Sequence, residues 1–395
     1  MAVRKIKEGV YYVGAIDWDR RLFDALIPLP DGTTYNAYFI NGKDKTALID
    51  TVDPAKEADL TRNLEDLAVT RLDYIISNHA EQDHSGLVGK MAALHPEAKI
   101  VTNAKCKEFL KDLLLVPDDR FLVVADGDTL ALGGKTLKFL LAPWVHWPET
   151  MFTYLVEDRI LFSCDFLGAH LAPAELFVES ICDFYEAAKR YYAEIMMPFR
   201  TSVAKHLERL SGMEIDIVAP SHGPIHTKPE SIMKAYGEWA SDAVKNEVVI
   251  PYVSMHGSTQ RMVDHLVDRL VERKIVARPF DLTVTDIGKL AMSLVDAATI
   301  VIAAPTVLVG PHPQAVYATY LANALRPKTR FAGVIGSYGW GSKMLDTIKA
   351  MLPNLKVQML TPVVIKGYPK GEDLSALDKL ADEILDKHRQ AGIAG

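Results

Sequence analysis

The tract from Tyr74 to Gly86 limits the fold of this chain more than any other. Tyr74-Ile75-Ile76-Ser77 reads as a buried apolar strand, and Asn78-His79-Ala80-Glu81-Gln82-Asp83-His84-Ser85-Gly86 follows it directly. Four groups able to bind a metal, His79, Glu81, Asp83 and His84, fall within six positions. A solvated charged loop produces some of this, but two imidazoles and two carboxylates at spacing H-x-E-x-D-H rarely arise that way.

The pattern closely resembles the H-x-H-x-D-H signature of the metallo-β-lactamase superfamily, with Glu81 in place of the second His. That resemblance implies further ligands at later strand ends, and three candidates stand there in order. His146 lies in Pro143-Trp144-Val145-His146-Trp147-Pro148, beyond the strand Thr136–Leu141; Asp165 lies in Ser163-Cys164-Asp165-Phe166; His222 lies in Pro220-Ser221-His222-Gly223. Each sits where a rigid scaffold presents a side chain. Any one alone reads equally well as a hydrogen-bonded structural residue. His226 competes with His222, which is preferred because the superfamily's last ligand precedes a glycine. His95, His170 and His206 have no such placement and read as surface or core residues.

Two domain grammars share the 395 residues. At roughly 150 residues per domain, that length suggests two or three domains. From Asn36 to Ala219 short apolar runs alternate with helices: Asn36–Ile40, Thr46–Ile49, Tyr74–Ser77, Lys99–Thr102, Phe121–Val124, Thr129–Leu132, Thr136–Leu141, Phe152–Val156, Ile160–Ser163 and Ile215–Ala219. Gly133-Gly134-Lys135 and Glu157-Asp158-Arg159 read as hairpin turns. Many short strands with helices between suggest sheets packed face to face with helices outside. A helix from about Ser231 to Asn246 leads to regular β-α-β-α alternation. Its strands are Val248–Val253, Ala277–Asp281, Ala298–Ala303, Arg330–Ile335 and Lys356–Met359, its helices include Thr259–Lys274, and a last helix runs from about Leu374 to Gln390. That order builds a doubly wound parallel sheet. The boundary is placed at residue 247, giving domains 1–247 and 248–395.

Composition removes several function classes. The chain is 49% hydrophobic and 24% charged, with formal net charge −7. An acidic chain lacks the cationic field that nucleic acid or anionic membrane requires, so neither is an expected partner. No apolar run approaches the ~18 residues of a membrane span. Met1 to Glu8 carries basic residues but no apolar core after them, so it does not read as a signal peptide, and a cytoplasmic location is expected. Cys106, Cys164 and Cys182 form no C-x-x-C pair, which excludes a fused rubredoxin centre or zinc ribbon, and they read as buried thiols.

In the second half, Val248–Val253 runs into Ser254-Met255-His256-Gly257-Ser258-Thr259 and then a helix. Hydroxyls and glycine at a helix N-terminus, with no lysine, suit a terminal phosphate held by neutral donors; a plain capped turn reads the same way. Two more loops follow strand ends: Ala303-Ala304-Pro305-Thr306-Val307-Leu308-Val309-Gly310 and Gly336-Ser337-Tyr338-Gly339-Trp340-Gly341-Ser342. Ligands of open parallel sheets bind in the crevice beyond those ends. Together the three loops resemble those of a flavodoxin. That similarity implies that Ser254, His256, Gly257, Ser258 and Thr259 cradle the phosphate of FMN. It also implies that Pro305, Thr306, Val307 and Gly310, with Ser337, Tyr338, Gly339, Trp340 and Gly341, flank the flavin ring.

A metallo-β-lactamase-like αββα sandwich followed by a flavodoxin-like domain is the architecture of the flavodiiron proteins, which the whole chain resembles. The segments Gly14–Trp18 and Thr33–Tyr38 look like that family's entry into its first sheet. The resemblance implies reduction of dioxygen to water, or of nitric oxide to nitrous oxide, at two irons fed by FMN. His79, Glu81 and His146 would hold one iron, Asp83, His84 and His222 the other, with Asp165 bridging; some family members leave the His84 position off the metal. Catalysis would rest on His79, Glu81, Asp83, His146, Asp165 and His222. The donor would be a separate rubredoxin or a reduced deazaflavin coenzyme, and the assembly a head-to-tail homodimer or a dimer of dimers. Leu22-Phe23-Asp24-Ala25-Leu26 stands where many members carry a histidine. Two other readings remain: a zinc hydrolase with an accessory flavodoxin module, and an electron carrier that has lost its metals. Three carboxylates among the ligands favour iron over zinc, since hard oxygen donors suit a ferric pair.

Overall fold

The short apolar runs of the first half pair into two seven-stranded sheets. In this computed structural model, which describes residues 3–394, the first sheet runs Arg4–Lys7, Val10–Tyr12, Tyr38–Asn41, Thr46–Ile49, Tyr74–Ile76, Lys99–Asn103, Phe121–Val124 in spatial order. The reading of the N-terminal stretch falls partly on Met1 and Ala2, and the second domain extends to Gly395; these three lie outside the described residues. The first sheet's last four strands are parallel. Its strand ends therefore point the same way, and the loop after Ile76 emerges at one edge of the sandwich.

The second sheet is ordered Thr129–Ala131, Thr136–Leu141, Met151–Leu155, Ile160–Cys164, Ile217–Pro220, Ile225–His226, Phe177–Val178. Both hairpins expected at Gly133–Lys135 and Glu157–Arg159 are antiparallel pairs. Alternate residues of each strand point to one face. Tyr38, Ile40, Ile49, Ile76 and Val101 thereby meet Leu137, Phe139, Met151, Phe162 and Ile217 in a core between the sheets. The opposite face of the first sheet buries Leu48, Ile75 and Ile100 under helices Glu57–Asp66, Val88–Leu94 and Ala104–Leu114. On the far side of the second sheet, Phe152 stacks on Phe166 and meets His206, while Phe166 meets Tyr236, from helices Arg200–Ser211 and Glu230–Ala240. This is an αββα sandwich.

The second unit holds a parallel sheet ordered Val276–Asp281, Lys245–Tyr252, Ala297–Val307, Phe331–Tyr338, with Gln358–Met359 and Val363–Lys366 both pairing with the last. Its first, second and later strands thus follow the 2-1-3-4-5 order of a doubly wound fold. Helices Ser258–Glu272 and Gly371–Gln390 cover one face, Ile287–Leu294 and Pro313–Leu325 the other. The division between compact units falls between Ala240 and Ser241, with Ala193–Pro198 grouped with the second.

Several expectations are corrected. The helix expected over Ser231–Asn246 is Glu230–Ala240. Lys245 already belongs to the sheet, its N–H bonded to the Asp296 carbonyl at 2.8 Å, and β-branched Val248, Val249 and Ile250 continue the extended run. The strand expected at Asn36–Ile40 begins at Tyr38, because Asn36 turns its backbone and side chain toward Ser221 and Pro220. Ile225–His226 and Phe177–Val178 went unread, being too short for a periodicity signal, and so did the four-residue strand Val363–Lys366. Cys106 and Cys164 are buried, but Cys182 is exposed, on a short turn after Ser180.

Candidate functional site

The loops that carry the predicted ligands converge at one edge of the sandwich. His79 and Glu81 follow the strand Tyr74–Ile76, and the short helix Gln82–Ser85 carries Asp83 and His84. His146 lies between Thr136–Leu141 and Met151–Leu155, Asp165 directly after Ile160–Cys164, and His222 two residues after Pro220. The framework that aims them is polar and buried. Asp50 accepts from the Asn78 N–H at 2.8 Å and its amide at 2.9 Å, and Thr153 donates to Asn78 Oδ1 at 2.7 Å. Thr51 N–H and hydroxyl both donate to the His84 carbonyl, at 2.7 and 2.6 Å. The Asn36 amide donates to the carbonyls of Pro220 and Gly223. Gly223 has φ +78°, and a Cβ there would stand 2.5 Å from the Ala169 carbonyl oxygen, so only glycine lets the chain turn away behind His222.

Two sets of donor atoms result. His79, Glu81, His146 and Asp165 form one, and Asp83, His84 and His222 the other. Glu81 Oε2 lies 3.0 Å from His79 Nε2 and 3.1 Å from His146 Nε2. Asp165 divides its oxygens: Oδ2 is 3.5 Å from both His79 and His146, whereas Oδ1 is 3.0 Å from His84 and 3.5 Å from His222. Asp83 Oδ2 lies 3.0 Å from His222 Nε2 and 3.3 Å from His84 Nε2, yet neither Asp83 oxygen has a hydrogen-bond partner. His79 with Glu81 and His84 with Asp165 are also aligned as hydrogen bonds, but within each set all the donor atoms lie inside 4.8 Å of one another and so face a common point. That is the arrangement a cation between them requires, so the residues fit a pair of metal ions.

Electrostatics agrees with that fit. Burial pulls His79, His84 and His146 toward neutrality, but the surrounding carboxylates outweigh it and raise them to about 10, about 9 and about 10. Burial likewise pushes Glu81 and Asp165 up, and the facing imidazoles hold both well below the usual carboxylate range. Protons on the rings thus neutralise the carboxylates where a metal would.

A second layer surrounds this centre, and the sequence did not reveal it. Glu149 Oε1 accepts from His79 Nδ1 at 2.6 Å. The Tyr191 hydroxyl donates to Asp165 Oδ1 at 2.9 Å. His170 is buried, as a core residue, but its ring centroid is 4.7 Å from that of His222 and 4.9 Å from that of Phe23. Phe23 comes from the segment lacking the family histidine, and the next residue is Asp24, whose carboxyl is raised by burial and by the charges of Glu81 and Asp83. His226, the rejected competitor, is buried with Nε2 donating to the Leu167 carbonyl at 3.0 Å. His206 is buried beneath Pro143, and His95 is half-buried at a helix end. A cavity of about 530 Å³ lies beside Glu149, lined also by Asn103, Lys105 and Leu141, and the ligands themselves do not line it.

In the second unit a cavity of about 210 Å³ opens beyond the strand ends. Ser254, His256, Ser258, Thr259, Pro305, Thr306, Ser337, Tyr338 and Gly339 line it, joined by Met255 and Gly367. Gly257, at φ +83°, turns the chain into the helix Ser258–Glu272. Gly257, Val307, Gly310, Trp340 and Gly341 do not line the cavity; Val307 and Gly310 pair in a small hairpin that follows Thr306, and Trp340 is 76% exposed. Thr306 and Ser342 hydroxyls meet at 2.8 Å, tying two loops together. The Thr259 hydroxyl is buried with no partner at the first turn of a 15-residue helix. An orphaned donor beside free N–H groups fits a bound phosphate.

The chain's likeness to known proteins spans both units. The family model described as ODP family beta lactamase matches residues 33–223. A coenzyme F420H(2) oxidase of Methanothermobacter marburgensis is 34% identical over 401 residues, covering 97% of this chain and 99% of that protein. A nitric oxide reductase of Moorella thermoacetica is 34% identical over 390 residues, covering 96% and 97%. Among solved structures, the rubredoxin oxygen:oxidoreductase of Desulfovibrio gigas matches with TM-score 0.94 at 27% identity, over 98% of this chain and 99% of that one. A flavodiiron protein of Giardia intestinalis matches with TM-score 0.87, also at 27% identity, over 98% of each chain.

Proposed function

The chain belongs to the flavodiiron family, the type A flavoproteins, and from that premise we propose that it is an oxidoreductase reducing dioxygen to water, nitric oxide to nitrous oxide, or both. The observation that carries this reading is the division of Asp165, one oxygen toward each of two imidazole–carboxylate sets. His79, Glu81 and His146 would hold one iron, Asp83, His84 and His222 the other, and Asp165 both. Ser254, His256, Gly257, Ser258 and Thr259 would hold the FMN phosphate, with the loops 305–310 and 337–341 about its ring. When bound, the flavin supplies electrons one or two at a time and the iron pair supplies the site of bond cleavage.

What the chain itself does is to hold and orient. The His79 Nδ1–H donates to Glu149 and the His222 Nδ1–H to the Thr34 carbonyl at 2.6 Å, so each Nε2 faces inward, where a metal would take its lone pair in place of a proton. Tyr191 holds its hydroxyl proton against Asp165 Oδ1. Phe23, Tyr35 and Tyr191 rings pack about His222 and keep water from that side. Both reactions consume protons as well as electrons, and the exposed carboxyl of Asp24 beside Glu81 is placed to carry one in from solvent.

We assign the metal chemistry to the domain before the boundary read at residue 247, which the compact units put at Ala240 and Ser241, and FMN to the domain after it. The donor is a separate rubredoxin or a reduced deazaflavin coenzyme; one similar solved structure is named for rubredoxin and one relative for coenzyme F420H(2). Cytoplasmic location and a head-to-tail dimer, possessed of one flavin for each iron pair, complete the reading; no helix among the described residues is long and apolar enough to cross a membrane. The deciding experiment mixes anaerobically reduced protein with each gas in a stopped-flow instrument, iron, zinc and FMN being quantified. Rapid flavin reoxidation by nitric oxide in an iron-loaded sample is expected. Stoichiometric zinc with no turnover when iron is loaded would instead favour a hydrolase.

A further inference from the structure

The proposed centre is evenly built in its inner layer. One set has two imidazoles and Glu81, the other two imidazoles and Asp83, and Asp165 serves both. With inner charge equal, a difference between the two positions has to come from the groups behind the ligands. Behind His222 stands the neutral Thr34 carbonyl. His84 Nδ1 is buried with no partner. Behind His79 stands a full carboxylate: Glu149 is 2% exposed, and its Oε1 accepts from His79 Nδ1 at 2.6 Å and from the Ala80 N–H at 3.1 Å. Its backbone carbonyl is pinned by the Asn103 amide at 2.6 Å.

Other nearby carboxylates do not break the symmetry in this way. Asp50 acts through Asn78 and faces both His84 and His79. Asp24 lies on the Glu81 side but is exposed, so water screens it. Glu149 Oε2, by contrast, is buried and has no hydrogen-bond partner among the described residues. A buried carboxylate left half unpaired is unfavourable unless positive charge lies close by. Among the described residues its other oxygen meets the His79 ring and a peptide N–H, and beyond that ring lies one metal position of the two.

We propose that Glu149 is a positioning residue that makes the two irons inequivalent. It fixes His79 as an Nε2 donor and lends negative charge to the position held by His79, Glu81 and His146. In an iron pair held there, one-electron oxidation of the diferrous state by a chemical oxidant would fall on the position of His79, Glu81 and His146, and the position of Asp83, His84 and His222 would stay ferrous. The inference rests on the diiron reading above.

The test uses the full-length, iron- and FMN-loaded protein with two variants. Glu149→Gln keeps a side-chain oxygen for His79 Nδ1 and removes the charge. A redox titration followed by electron paramagnetic resonance should show a mixed-valent state in the unaltered protein. In Glu149→Gln its comproportionation constant should fall about tenfold, which is ~59 mV in the separation of the two one-electron midpoints. Glu149→Leu removes the orienting bond as well; one iron should then bind ~10–100-fold more weakly while the other and the FMN are unaffected. Unchanged mixed-valent yield and midpoints in Glu149→Gln would overturn the proposal, even where Glu149→Leu fails to fold. Unaltered protein that binds no iron pair would overturn the diiron reading and the inference with it, a result distinct from the first.

Discussion

Loading the metal-free protein with two ferrous ions should expel about three protons at pH 7.5. His79, His84 and His146 are held at about 10, about 9 and about 10, because neighbouring carboxylates outweigh the effect of burial. At that pH each ring therefore carries both of its protons. A ring that gives its Nε2 lone pair to a metal must first lose the proton there. Glu81 and Asp165 are held well below the usual carboxylate range, so they are already ionised and release none. The sum is about three. Calorimetric titration of ferrous iron into the metal-free protein, repeated anaerobically in buffers of differing ionisation enthalpy, reads that number as a slope. The apparent affinity should also climb by up to ~3 decades per pH unit until pH passes about 9. The stability of the metal-free form carries the opposite sign. Rings whose native pKa is raised above the ordinary ~6.5 stabilise the fold fully below that pH, and the contribution is lost as pH rises toward 9 to 10. Melting of the metal-free protein should therefore worsen over that window, and melting of the loaded protein should not. A release below one proton, or equal pH profiles for the two forms, would refute the claim that ring protons stand in for the metals.

Three further outcomes follow from particular contacts. A Cβ at Gly336 would stand 2.0 Å from the Ala304 carbonyl oxygen and 2.8 Å from Met344 Cε. Gly336→Ala should thus force apart two central strands of the second unit, costing about 1–3 kcal/mol with loss of FMN but not of iron, as read by urea unfolding and cofactor analysis; unaltered unfolding would contradict it. Ser258→Ala with Thr259→Ala should weaken FMN by ~1.5–3 kcal/mol for each charge-assisted bond removed, metal content being unchanged, and an unaltered flavin titration would count against the cradle. Burial lowers His226 to about 4; its neutral form then stabilises the fold above pH ~6.5, and that contribution, up to ~3 kcal/mol, is lost as pH falls toward 4. His226→Phe should flatten the acid limb of a stability profile, and an unchanged limb would assign it to other groups.

The strands that build the site were legible because their composition is one-sided: Thr46–Ile49, Phe121–Val124 and Thr136–Leu141 stand where the apolar runs put them. The ligands were legible for a related reason. A metal accepts few residue types, and a strand end presents them only within a few positions, so His79 to His84 declare themselves by spacing. Trp340 and Tyr338 were marked in the same way, by glycines past a strand end. Phe23 and Asp24 carried a weaker mark, their place in a segment where many family members carry a histidine, and nothing in that segment foretold the packing of Phe23 on His170 and His222.

The second layer leaves no such trace, because its requirements are met by so many groups. An imidazole Nδ1–H needs only an acceptor. His222 finds one in the backbone of Thr34, which any residue at that position would have offered. His79 finds one in Glu149, a lone carboxylate in Trp147-Pro148-Glu149-Thr150 with no partner near it in sequence. Tyr191 reaches Asp165 from a helix whose other residues announce nothing but amphipathic packing. Residue type thus identifies what must touch a metal, whereas only the fold identifies what stands behind it. If charge behind the ligands sets which iron is oxidised first, chains with the same inner ligands need not share a potential. The acceptor behind each imidazole, carboxylate or carbonyl, is then the feature to compare among them.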